Sequence, residues 1–309
     1  MIVISAIFNE IWHHFAWIAG VILLLGIAEY FRPAGHQPTM AARAFNVLVI
    51  SCVITGLMIV SFSFPLIYDV LAPYGLIGFA FGNWHPTTIP GQVAATLVYM
   101  LVWDFFQYWF HRAEHGLPFL WPVHELHHDE EHVNVTTSQR TSVLSGICHS
   151  LLVNLPTLIV CGLDMLPLVA SFVFFRFYSP FIHANIRLDL GVLTPVIAGP
   201  QWHRLHHGRD EQYFNKNFAT FFPFIDILFG TYRRPMPGEY PETGVGSRRL
   251  AEPHGGVVSR VIGLRPRRSA LRALEADLTA KAEHVPGRVS ETVAGERILV
   301  LSGQSGSPN

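Results

Sequence analysis

Charge is what this chain has least of. Only 14% of its 309 residues are Asp, Glu, Lys or Arg, against 50% hydrophobic, a balance that excludes an ordinary soluble protein and points to a membrane class. The net charge is −1 and the basic residues form no interleaved patch, so nucleic acid is not expected as a partner. Cysteine is nearly absent too. Cys52, Cys148 and Cys161 all lie in apolar runs and read as small buried hydrophobes, which leaves neither a disulfide framework nor a thiolate metal site. No Lys or Arg precedes Arg32, so the charged start of a secretory signal is missing and the first apolar segment reads as a retained span. A haem-binding cytochrome domain and a dinucleotide or flavin fingerprint are also missing.

Long apolar runs and histidine fill the space. Five apolar runs read as membrane helices, 15–31, 45–68, 93–110, 143–163 and 165–182, of which 45–68 has no charged residue and is long enough to cross a hydrocarbon core of about 30 Å. These predict an all-α integral membrane protein with about four to five transmembrane helices and a helical, histidine-rich cap. Arg32 and Arg43 lie between the first two spans, while the next connection has no Lys or Arg, so the first loop is expected to be cytoplasmic. Counting crossings then puts residues 111–132 and 183–207 on that same side, with the N-terminus outside. Arg204, Arg233 and Arg234 read there as basic residues at the membrane surface, with docking of an acidic donor as the second reading. From Pro235 onward, Pro, Gly, Ser and Arg predominate. The expected division is an N-terminal membrane region at 1–92, a catalytic domain at 93–235, and a partly disordered cytoplasmic tail at 236–309. One amphipathic helix is expected in the tail, capped by Ser269 and presenting Leu271, Leu274 and Leu278.

Eleven of the 17 histidines fall between His111 and His207. HRAEH places His111 and His115 four apart, on one face of a helix. HELHH holds His124, His127 and His128, and WHRLHH repeats that spacing with His203, His206 and His207. Two copies of HxxHH arise by chance about once in a thousand chains of this composition. His183, in HANIR, returns to the same side after the fifth span. Nine imidazoles exceed the coordination of one ion and suit two, with four or five ligands each. Imidazole alone does not choose among zinc, copper, iron and nickel. Beside a membrane, however, the available substrates are lipid C–H bonds, which need a redox metal and O2, and so favour iron over zinc. Asp104, Tyr108, His111 and His115 share a helical stripe, so Asp104 is expected to orient His111 or a neighbouring ligand, and Asn185 to hold a metal-bound water. HELHH also satisfies the HExxH pattern of zinc proteases, with Glu125 as base. That alternative leaves His111, His115 and the second HxxHH without a role.

HRAEH, HELHH, HAN and WHRLHH resemble the sterol desaturase and fatty acid hydroxylase superfamily. So does the flanking sequence: DFFQYWFHR across the first cluster, NVTT after the second and NFATFFPFIDILFGTYRRP after the last. The resemblance covers about residues 93–235. It implies a non-haem di-iron site bound by His111, His115, His124, His127, His128, His183, His203, His206 and His207. It also implies hydroxylation or desaturation of a lipid with O2 and two electrons. With no redox domain in the chain, these would come from a separate donor protein of the ferredoxin or cytochrome b5 type with its reductase.

Overall fold

The computed structural model describes residues 2–61, 86–162, 177–246, 257–263, 288–293 and 296–301, with isolated positions between 67 and 84. The chain forms two compact units, residues 1–265 and 266–309.

Helices dominate the first unit. α1 (Ile2–Phe31) and α2 (Met40–Ser61) lead to α3 (Ile89–Gly116), the longest uninterrupted apolar rod after α1. Thr88 caps α3, its hydroxyl accepting from the Gly91 N–H, and Pro90 occupies the first turn, where a missing N–H does no harm. At about 1.5 Å per residue, this 28-residue helix is about 42 Å long, more than a hydrocarbon core needs. The helix was expected to span 93–110; it continues without a break, so His111 and His115 ride on its last turns. Val93, Leu97, Leu101, Phe105 and Trp109 recur every four residues along one face and are each 40–51% exposed, while Met100, Asp104, Tyr108 and His111 lie buried. An unbroken apolar stripe turned outward is the pattern of a lipid-facing helix.

The expected span 143–163 is a helix over Val143–Cys161 with one widened turn. α5 (Val143–His149) passes through a π-helical turn at Ser150–Asn154 into α6 (Leu155–Cys161). Pro156 explains the widening, because it has no N–H to donate and its ring crowds the carbonyl four residues back. Among the described residues, two helices are long and apolar enough to cross a membrane, Ile89–Gly116 and Val143–Cys161. The later part of the expected second span and residues 163–176 of the fifth lie outside the described residues; 177–183 are helical (α7).

Glu29 ties these rods together. This buried carboxylate on α1 accepts the backbone N–H groups of Val135 at 2.6 Å and Asn185 at 2.8 Å and pairs with Arg43 of α2 at 3.0 Å. A charge on an apolar helix is tolerable because all its partners are supplied. Short helices carry the other histidines: α4 (Trp121–His128) and α8 (Pro200–His206), each opening with a proline in its first turn. Trp202, Phe218, Phe221 and Ile225 close a core over Tyr108 and Tyr178, with α9 (Phe224–Leu228) completing it. Residues 236–246, read from composition as the start of a tail, fold back on α8: Arg204 Nε donates to the Pro241 carbonyl and the Gly244 N–H to that of His207. A short helix α10 (Val257–Ile262) follows.

The second unit departs from the all-α expectation. Arg288–Val293 (β1) pairs antiparallel with Glu296–Leu301 (β2), a hairpin consistent with the Val, Ile and Thr content of both segments. The helix expected from Ser269 to Lys281 lies outside the described residues.

Candidate metal centre

Four elements bring all nine histidines to one place. They separate into two groups, His111, His115, His124, His128 and His206 in one and His127, His183, His203 and His207 in the other, and within each the ring nitrogens lie within 4.8 Å of one another. The i, i+4 spacing aims both α3 histidines at the first group. HxxHH works differently: in each triplet, two neighbouring residues diverge, so that His127 and His128 serve separate groups, as do His206 and His207. The groups touch where the His128 and His207 rings stack, 4.4 Å between centroids.

Hydrogen bonding at the far side of each ring decides what the near side offers. His111 Nδ1 donates to the Phe218 carbonyl at 2.9 Å, His127 to Arg140 at 3.3 Å, His183 to Ser179 at 2.7 Å and His206 to Lys216 at 2.8 Å. His124 Nδ1 meets the Glu114 carboxylate at 3.1 Å. A carbonyl only accepts, so these rings carry their proton on Nδ1 and turn a bare Nε2 lone pair inward. Six Nε2···Nε2 contacts of 3.0–3.2 Å result, none crossing between the groups. In His111–His124 and His127–His183, one pair per group, both Nδ1 protons are already committed, so lone pair faces lone pair. A cation between them resolves the repulsion, which is the test that a metal fits.

Burial disfavours the charged form of five of the rings. Desolvation holds His127, His128, His203 and His207 well below the usual histidine range, with neighbouring imidazoles pushing the same way, and lowers His183 to about 4. Neutral imidazole is the ligand form.

The residues behind the histidines differ from those expected. Among the described residues no hydrogen bond links Asp104 to a histidine. Its carboxylate accepts three backbone N–H groups, Thr220 at 2.7 Å, Phe221 at 2.9 Å and Phe222 at 2.7 Å. Asp226 accepts those of Phe218 and Ala219 at 2.8 and 2.9 Å. Two carboxylates thus pin the 218–222 backbone, and the Phe218 carbonyl in turn fixes His111. Asn185 does not face the centre either. Its Oδ1 accepts from Gly35 N–H and Arg204 Nη1 and its Nδ2 donates to the Gly35 and His36 carbonyls, leaving no capacity for a metal-bound water. Glu114, inside HRAEH itself, was missed: it bonds His124 and accepts from the Ser145 hydroxyl at 2.6 Å. The available signal was an acid one residue before a candidate ligand on an otherwise apolar helix.

A cavity of about 370 Å³ opens onto the centre, walled by His111, His124, His127, His183 and His203 with Trp103, Phe110, Ile182 and Phe221. Gln107 and His149 also line it, and the buried Gln107 Oε1 has no partner among the described residues. Glu125 is buried and does not line this cavity.

Residues 96–231 match the family described as fatty acid hydroxylase. An alkylglycerol monooxygenase of Danio rerio is 34% identical over 158 residues, 48% of this chain and 33% of that protein. A Delta(7)-sterol 5(6)-desaturase of Gibberella zeae is 30% identical over 177 residues, 55% and 48% of the two chains, and a very-long-chain aldehyde decarbonylase of Oryza sativa subsp. indica 30% over 143 residues, 41% and 22%. The matched region spans less than half the length of each of these relatives, and no solved structure matches. The histidine centre falls within the matched segment, so the nine histidines lie in the part of the chain that is similar to the fatty acid hydroxylase family.

Proposed function

We propose that this protein is a multi-pass membrane oxidoreductase that hydroxylates or desaturates a lipid at a pair of iron ions, using O2 and two electrons. The observation that carries the reading is the pair of adjoining histidine groups, each with inward lone pairs held by Nδ1 hydrogen bonds. His111, His115, His124, His128 and His206 would hold one ion, and His127, His183, His203 and His207 the other. Iron bound there supplies the oxidising power that an unactivated C–H bond requires. The redox chemistry that an unactivated C–H bond requires and the names of the relatives, a monooxygenase, a desaturase and a decarbonylase, support iron over zinc, which has no redox chemistry.

The chain's own part is orientation. Glu114 and the Phe218, Arg140, Ser179 and Lys216 carbonyls fix ring tautomers and angles. The aromatic walls of the cavity exclude water and hold an apolar chain against the His111, His127 and His203 side of the centre, and the position of the held carbon decides between alcohol and alkene. Electrons come from a separate protein of the ferredoxin or cytochrome b5 type with its reductase. Four to five spans carry the domain, with the centre on the cytoplasmic side and residues 236–309 following it. The zinc protease alternative needs Glu125 beside the metal's open position, and Glu125 is off the cavity wall.

Lipids extracted from cells with and without the gene test this reading. The expected product differs from its precursor by one oxygen or two hydrogens and disappears with His128→Ala or His207→Ala. No difference in any lipid class refutes it.

A further inference from the structure

Arg204 stands between His203 and His206, and it is 6% exposed, far from the surface position expected of it. Its Nε donates to the Pro241 carbonyl at 2.9 Å and its Nη1 to Asn185 Oδ1 at 3.1 Å, both neutral acceptors. No carboxylate pairs with it among the described residues. Gly35 makes room for this placement, since a Cβ there would overlap the guanidinium. A buried charge with neutral partners only is poorly compensated.

The same guanidinium lines a second cavity, of about 670 Å³, which shares no wall residue with the cavity over the histidines. Arg187 lines it as well. Its Nε donates to the Pro33 carbonyl at 3.1 Å and its guanidinium lies over the Tyr240 ring at 5.7 Å, again without a carboxylate partner. The cavity's third arginine, Arg209, is already paired with Glu242, which leaves Glu131 as the one acid on the wall against two unneutralised guanidinium groups. His36 and His132, neither among the candidate metal ligands, face each other across 6.0 Å on the same wall and add imidazole N–H donors.

We propose that this cavity binds an anionic group of the phosphate class, held by Arg204 and Arg187 and completed by His36 and His132. Planar guanidinium donors match the spacing of phosphate oxygens, and an anion at Arg204 supplies the charge that the protein itself withholds. Its wall includes residues 33–36, directly after α1, so the phosphate of a lipid headgroup and that of a soluble phosphomonoester both have access. The Gly244 N–H bonded to the His207 carbonyl joins the cavity wall to the third histidine cluster, so an occupant also steadies that cluster.

The test uses the full-length, metal-loaded protein in an uncharged detergent, titrated with inorganic phosphate against chloride at equal ionic strength. Saturable binding is expected, weakened at least about tenfold by Arg187→Gln and unchanged by Arg234→Gln, an exposed arginine off this wall. Arg204→Lys, which keeps a cation where Arg204→Gln is at risk of misfolding, is expected to weaken binding to a similar degree. Short-chain phosphatidic acid binding more tightly than glycerol phosphate identifies a headgroup source; equal affinities identify a soluble one. Absence of saturable binding overturns the proposal. So does binding that vanishes when metal is stripped but is indifferent to Arg187→Gln, because that phosphate sits on the metal centre.

Discussion

Glu114→Gln separates the two halves of the histidine centre. The carboxylate now accepts from His124 Nδ1 at 3.1 Å and from the Ser145 hydroxyl at 2.6 Å. Gln preserves the shape and can keep the bond to His124, but only by turning its NH2 toward Ser145, whose hydroxyl must then accept instead of donate. The negative charge behind the imidazole is lost in either case, and Nε2 becomes a weaker donor. Removing such a partner lowers metal affinity about 10- to 100-fold, about 1.4–2.7 kcal/mol. None of His127, His183, His203 and His207 bonds to Glu114. The loss is therefore confined to the group containing His124. Titrating iron-loaded protein with a chelator, while counting retained iron, should show two phases in the variant, one ion released at about 10- to 100-fold lower chelator and the other as in wild type. A single wild-type phase, or equal weakening of both ions, refutes the argument.

Three further outcomes are expected. Asp104→Asn sets an amide NH2 against some of the three backbone N–H groups that the carboxylate satisfies, and thermal unfolding in detergent should show a loss of about 3–5 kcal/mol; a change under about 0.5 kcal/mol contradicts the role of Asp104 in pinning residues 218–222. In metal-free protein, five buried histidines have folded pKa values depressed below the unfolded value of about 6.5, so the unfolded chain binds more protons in acid. Stability is full above about pH 6.5 and falls as the pH drops toward about 4, where His183 protonates, by up to about 1.4 kcal/mol per pH unit for each histidine; a flat denaturation midpoint across that window contradicts this. Gln107→Leu removes a partnerless buried carbonyl and should raise stability by about 1 kcal/mol while lowering turnover, whereas a stability loss would show that Gln107 is satisfied in the fold.

The histidine spacing was legible because it is local: i, i+4 and HxxHH are properties of one or two helical turns, and the structure brings all nine rings together. The division into groups was not, since which of two adjacent rings joins which group depends on how α3, α4, α7 and α8 cross. The supporting shell was less legible still. His111 and His206 are oriented by main-chain carbonyls of Phe218 and Lys216, and a backbone acceptor leaves no trace in residue identity. Asp104 was expected to orient His111 or a neighbouring ligand, but the groups its carboxylate binds are backbone N–H groups 116 to 118 residues away in sequence. Glu29 was passed over as a single charge in an apolar run and Arg204 was read as a basic residue at the membrane surface, although their partners are what join α1 and residues 240–246 to the histidine layer.

The most direct measurement is the metal content of protein purified without chelators, combined with Mössbauer spectroscopy of protein grown on isotopically enriched iron. Two irons per chain with a spin-coupled ferric signal are predicted, falling to about one uncoupled iron when His183 and His203 are both changed to Ala. One zinc per chain, or iron that stays uncoupled in the unaltered protein, contradicts the account.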